Sequence, residues 1–210
     1  MTLPRSVSLS PFELVLITSP EDFADEHALI ESLFELGLSR LHVRKPHHGG
    51  GALERWLLAL DGDCRAKVVL HGHPEMAHEF NLSGFHMNAK WFAENPARFV
   101  DSGLSRSASA HSMAEVDSLP EGISYAFLSP VFDSISKVDY KSAFDLEEVA
   151  TWLAMRRASG KKTSVLALGG VDADSISLVK SAGFDGAAIL GGVWNYADPL
   201  QAWKNIYGHL

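Results

Sequence analysis

The chain has 210 residues, 46% of them hydrophobic and 21% charged, with a formal net charge of -8 when histidine is neutral. That suffices for one sizeable core and is short for two, and a composition without low-complexity runs excludes a disordered protein. An acidic chain with no basic stripe excludes general nucleic-acid binding, while leaving room for one basic pocket that takes a small anion.

From residue 12 onward one rhythm repeats: a short apolar run, a polar or glycine turn, then an amphipathic stretch. Phe12–Thr18 reads as a strand, and Glu21–Leu36 as a helix with Ile30, Leu33 and Phe34 on one face. Gly37 stands where a helix commonly ends. Arg40–Arg44 is a second strand, followed by a helix over Ala52–Leu60. Lys67–Leu70 is a third, followed by Glu75–Phe80, and Gly84–Met87 is a short fourth. Ser105–Ala108 is a weak fifth before a helix over Ser112–Leu119. Tyr125–Ser129, Thr163–Leu168 and Gly186–Leu190 are strands six to eight. Their helices cover Asp145–Ser159, Asp172–Ala182 and Pro199–Tyr207.

Strands alternating with helices imply parallel pairing through right-handed crossovers. Eight units favour a closed (β/α)8 TIM barrel over an open doubly wound sheet, and no Gly-x-Gly-x-x-Gly follows the first strand. No linker divides the chain, so residues 1–210 are read as one barrel domain. Cys64 has no partner for an internal disulfide, which suits a reducing, cytoplasmic setting. As a nucleophile it would need a thiolate-stabilising pocket, and none is evident around it. The first residues lack the apolar core of a signal peptide, and no apolar run reaches the ~20 residues a bilayer requires, so no membrane partner is expected.

In a barrel of this kind the chemistry lies at the C-terminal ends of the strands. Gly169-Gly170 follows strand seven, and Leu190-Gly191-Gly192 follows strand eight. Glycine lets backbone N–H groups approach a ligand, and the helix that follows adds orphan donors, so Gly169, Gly170, Leu190 and Gly191 are candidate phosphate-binding residues. Four of the ten histidines, His42, His71, His86 and His111, fall at or near four successive strand ends, with His73 close by. They fit a polar lining, a metal site or acid–base catalysis. A metal site normally adds carboxylates, and no Asp or Glu stands at these strand ends, so no metal is expected. His111, with Ser107 and Ser109 on its face of strand five, is the candidate catalytic residue. Arg44 ends strand two, well placed to hold a carboxylate or phosphate through its planar fork. Lys137, flanked by Ser134 and Ser136 in a polar connection that reads as a mobile lid, is the second candidate anion ligand.

These segments together resemble the thiamine phosphate synthase and TenI (thiazole tautomerase) superfamily over nearly the whole chain. The resemblance rests on His42-Val43-Arg44, Ser109-Ala110-His111-Ser112, Ser129-Pro130-Val131-Phe132 with Lys137, and Leu168-Gly169-Gly170-Val171. In the synthases it implies magnesium held by an Asn-Asp-Arg motif after strand three and an aspartate after strand four. Here those places carry His71-Gly72-His73 and Asn88-Ala89-Lys90-Trp91, so both acidic ligands are missing; the Glu-Lys after the strand-two arginine is Lys45-Pro46. Gly72-His73 resembles the tautomerase pattern.

The resemblance therefore implies, as the leading expectation, an isomerase that aromatises a carboxylated thiazole phosphate, with His111 as base and acid and without a cofactor. A divergent synthase that joins a pyrimidine pyrophosphate to a thiazole phosphate, and would need magnesium, is the alternative. A non-catalytic phosphate-binding regulator is the third. In each case the partner is a small phosphorylated thiazole-type molecule. Trp194, Tyr196 and Trp203 are read as either core or a homo-oligomer interface.

Overall fold

A computed structural model describes residues 12–95, 97–98, 102–133 and 144–210. Eight parallel strands close into one barrel in chain order. They are β1 (Glu13–Ile17), β2 (Arg40–Val43), β3 (Val68–His71), β4 (Gly84–Asn88), β5 (Ser105–Ala110), β6 (Tyr125–Leu128), β7 (Ser164–Leu168) and β8 (Gly186–Ile189). β1 closes the ring on β8, with Val15 opposite Ala188. The (β/α)8 expectation is met, with strand ends moved by one or two residues.

The outer layer holds the longer helices α1 (Glu26–Glu35), α2 (Gly50–Ala59), α7 (Leu146–Ala158) and α10 (Pro199–Gly208). Shorter ones are α3 (Gly62–Arg65), α4 (Pro74–Glu79), α5 (Ala89–Glu94), α6 (Met113–Asp117), α8 (Ile176–Ser181) and α9 (Gly191–Trp194). Side-chain caps start several of them: Asp145 accepts from Glu147 and Glu148 N–H, Ser112 from Glu115 and Asp198 from Gln201. Each cap satisfies a donor that the first helical turn leaves unpaired. No described helix is long and apolar enough to cross a membrane.

Strands covered on both faces carry apolar residues at successive positions, and period two divides these between two cores. Leu14 and Leu16 face the helices, whereas Val15 and Ile17 join Tyr125, Phe127, Leu166 and Ala188 inside the barrel. That interior is divided by side. β1 and β6–β8 supply its apolar wall, and β2–β5 supply His42, His71, His86, Ser107 and Ser109. Trp203 belongs to the outer core, fully buried with its indole N–H donating to Leu36 O at 3.2 Å, while Tyr196 is exposed. Of the two readings open for Trp203, core or interface, the structure places it in the core, where it fills the space between α10 and α1.

Candidate active site

The C-terminal mouth of the barrel encloses a cavity of about 420 Å³. Its rim joins Arg44, Ser109 and His111 to both Gly-Gly turns, Gly169-Gly170 and Gly191-Gly192, with Leu190 between strand and turn. His71 and His86 form its polar floor, and Ile17, Phe127, Leu168 and Ala188 its apolar wall. Nine of the predicted positions thus meet in one place: Arg44, His71, His86, Ser109, His111, Gly169, Gly170, Leu190 and Gly191.

Two of the other five lie elsewhere. His42 lies beneath the floor with no exposed surface. His73 lines an adjoining recess with Arg44, His71 and Lys45. Ser134, Ser136 and Lys137 lie outside the described residues. Phe127, Ser129 and the apolar wall were not singled out, although period two from Phe127 links it to both Tyr125 and Ser129.

The glycines at the seventh turn are required by the backbone. Gly169 and Gly170 have φ of 95° and 66°. A Cβ on Gly170 would lie 2.5 Å from Asp133 O and 2.6 Å from Phe132 Cβ. A Cβ on Gly192 would lie 2.3 Å from Val171 O, so the two turns are packed against one another through Val171. α9 begins at Gly191, and Trp194 ties it to the end of β1 by donating its indole N–H to Ile17 O at 2.6 Å.

Arg44 is held by its main chain. Its N–H donates to Thr18 Oγ1 at 2.9 Å, and that hydroxyl donates to Arg44 O at 3.2 Å. The next residue, Lys45, is buried and bound to the Glu26 carboxylate at 2.7 and 2.8 Å. At the opposite rim His111 Nδ1 lies 3.0 Å from Ser129 O. A carbonyl only accepts, so Nδ1 carries a proton, and in the neutral imidazole Nε2 is the acceptor.

Below the cavity a hydrogen-bonded chain descends into the barrel. His71 Nε2 lies 3.0 Å from His42 Nδ1, and His42 Nε2 lies 2.6 Å from Tyr125 Oη. His86 is held by Ser107 Oγ at Nδ1 and Ser109 Oγ at Nε2, both at 2.9 Å. Burial, then the neighbouring imidazoles, holds His42 well below the usual histidine range; burial, then His86 and Arg44, does the same for His71. Burial pushes His86 down to about 3 and Tyr125 up to about 12. The floor is therefore neutral at pH 7. Cys64 lies elsewhere, in α3, where burial and then Glu31 and Asp61 push its thiol up, so it is no activated nucleophile.

The family model for thiamine monophosphate synthase matches residues 14–193. The chain belongs to this family. A thiamine-phosphate synthase of Bacteroides fragilis is 24% identical over 177 residues, covering 82% of this chain and 87% of its own. The thiamine-phosphate synthase of Anoxybacillus flavithermus is 25% identical over 192 residues, covering 87% and 86%. Among solved structures, thiamine phosphate pyrophosphorylase from Bacteroides thetaiotaomicron superposes with a TM-score of 0.76 at 31% identity, covering 94% of this chain and 97% of its own. The expectation of an isomerase is corrected by these relatives. The sequence reading gave the lost acidic residues more weight than a similarity that runs along the whole barrel.

The magnesium that the synthases imply finds no suitable ligands among the described residues that line this cavity. Magnesium seeks octahedral oxygen, usually with one or two carboxylates. The lining of this cavity offers imidazoles, hydroxyls, one guanidinium and backbone, with no carboxylate among the described residues.

Proposed function

We propose that this protein is a transferase of the thiamine-phosphate synthase class, joining a pyrimidine pyrophosphate to a thiazole phosphate with release of pyrophosphate. The supporting observation is that one cavity is lined together by both Gly-Gly turns, Arg44 and an apolar wall. In this reading the thiazole phosphate rests on the N–H groups around Gly169, Gly170, Leu190 and Gly191, where a small helix begins. The planar rings lie against Phe127, Ile17 and Leu168. Arg44 takes the pyrophosphate through its fork as that group leaves with the electron pair of the breaking bond. His111, held through Nδ1 on Ser129 O, has Nε2 left to exchange a hydrogen bond or a proton with the bound substrates.

Incubation of the purified chain with both substrates, with and without a chelator, tests this reading. Formation of thiamine phosphate supports it; absence of product at high enzyme concentration refutes it. The missing carboxylates favour one second reading, a binding protein that keeps the phosphate pocket. Tight thiazole phosphate binding with no product is its signature.

A further inference from the structure

Ligand atoms of His42, His71 and His86 all lie within 4.8 Å of one another at the cavity floor. His42 Nδ1 and His71 Nε2 are 3.0 Å apart. Metal–nitrogen bonds of about 2.0–2.1 Å give a tetrahedral edge of roughly 3.3–3.4 Å, so this pair needs to open by only a few tenths of an ångström. His86 is stacked beside His71, ring centroids 4.3 Å apart. For His86 to join the same shell, its ring must tilt out of this stack and its Nε2 must leave Ser109. We propose that His42, His71 and His86 form a binding site for one divalent transition-metal ion of the zinc type, with a coordination position open to the cavity.

Three features support the site. The first is its donor set. Imidazole nitrogen suits zinc, cobalt or nickel, and hard magnesium is excluded by the same chemistry. The sequence reading set a metal aside for want of carboxylates; three imidazoles and an open position form a complete catalytic-type shell without one.

The second is the outer shell. Ligating histidines are normally oriented by a partner on the far nitrogen. His42 Nε2 has Tyr125 Oη at 2.6 Å, and His86 Nδ1 has Ser107 Oγ at 2.9 Å.

The third is that the protons balance. At present His42 and His71 share one hydrogen between Nδ1 and Nε2. When the ion binds, the His42 proton resides on Nε2 and is donated to Tyr125 Oη, while the His71 proton resides on Nδ1. Tyr125 turns its own proton towards Ser107, which lies beside it in the barrel interior. Ser107 also accepts from His86 Nδ1–H and donates to Phe85 O. His86 Nε2 gives up Ser109 and meets the ion. Each imidazole keeps one proton.

The site goes beyond the synthase reading and does not depend on the substrate. Its test uses the full chain, stripped with a chelator and titrated calorimetrically with Zn²⁺ and Co²⁺. The expected result is one ion per chain, undisturbed by excess Mg²⁺, with a visible Co²⁺ spectrum of low-coordinate type. Inorganic pyrophosphate should alter that spectrum by entering the open position. His71→Ala should weaken binding at least a hundredfold, and His71→Asn serves in its place if the alanine variant does not fold. The surface variant His47→Ala/His48→Ala should bind as the wild type does. No uptake by the wild type, uptake that survives both His71 replacements, or uptake lost with His47 and His48 would each overturn the proposal.

Discussion

Lys45 Nζ lies 2.7 Å from Glu26 Oε1, and both side chains are almost completely withdrawn from solvent. The indole N–H of Trp56 donates to the same carboxylate at 3.1 Å. This pair fastens α1 to the residue that follows Arg44, so it supports the rim of the cavity as well as the fold. Lys45 also meets the exposed Asp22 carboxylate at 3.0 Å, so it is removal of Lys45 that leaves a buried charge, that of Glu26, uncompensated, at about 3–5 kcal/mol, whereas replacing both by apolar groups costs far less. Lys45→Met should therefore lower unfolding free energy by about 3–5 kcal/mol, and adding Glu26→Leu should restore most of it. Urea unfolding of the two single variants and the double variant measures this directly. Additive losses would show that the pair does not act as a unit.

Gly170 is fixed both by its φ of 66° and by the 2.5 Å approach a Cβ would make to Asp133 O. Gly170→Ala should cost at least about 1–3 kcal/mol, since left-handed backbone and a forced shift of main chain act together. It should also weaken thiazole phosphate binding. Gly50→Ala is the matched control: a Cβ there meets nothing within 4 Å, at the start of α2. That variant should stay within about 0.5 kcal/mol of wild type or gain slightly. Thermal melts together with phosphate-ligand titration distinguish the two; a Gly170→Ala protein that binds as the wild type does would remove the turn from the anion site.

All eight strands were legible because short apolar runs stand between glycines and polar turns. The helices α3, α5 and α9 were not: each is four to six residues long and gives no full amphipathic period, and none is the main helix expected after its strand. Strand ends placed Arg44, Ser109, His111 and the Gly-Gly turns correctly at one mouth. Depth was illegible: period two puts His42 on the face of Arg44, but two residues down a strand is the difference between rim and buried floor. The contact of His42 with Tyr125 joins strands 83 residues apart and depends on barrel closure, which no local pattern states. Likewise Trp203 carries no sequence mark that separates a filled core position from a surface one.

The neutral floor makes the metal-free protein sensitive to mild acid. His42, His71 and His86 resist protonation when folded, His86 down to about 3 against an ordinary 6.5. The unfolded chain takes up protons below about 6.5 that the folded chain refuses. Stability is therefore complete above that pH and falls as the pH drops towards 3, by up to about 1.4 kcal/mol per pH unit for each proton gained on unfolding. Urea unfolding in chelator at pH 7.5 and pH 5.0 reads this window while most carboxylates remain ionised. His86→Gln should make the pH dependence shallower. Equal stability at both values for the wild type would show that the cluster accepts protons without loss.

Arg44 holds its place through Thr18, and that separates its two contributions. Its side chain is exposed at the rim. Arg44→Lys keeps the charge but loses the planar fork that meets phosphate oxygens in pairs. Affinity for inorganic pyrophosphate should fall about tenfold, which is about 1.4 kcal/mol, with unfolding free energy unchanged within about 0.5 kcal/mol. Thr18 is buried, and Thr18→Val strands the Arg44 N–H that its hydroxyl accepts at 2.9 Å. That change should cost about 1–3 kcal/mol of stability and weaken pyrophosphate less than the lysine variant does, because the fork survives on a loosened rim. Calorimetric titration beside thermal melts separates the two effects. Undiminished pyrophosphate binding by Arg44→Lys would place the leaving-group anion elsewhere in the cavity.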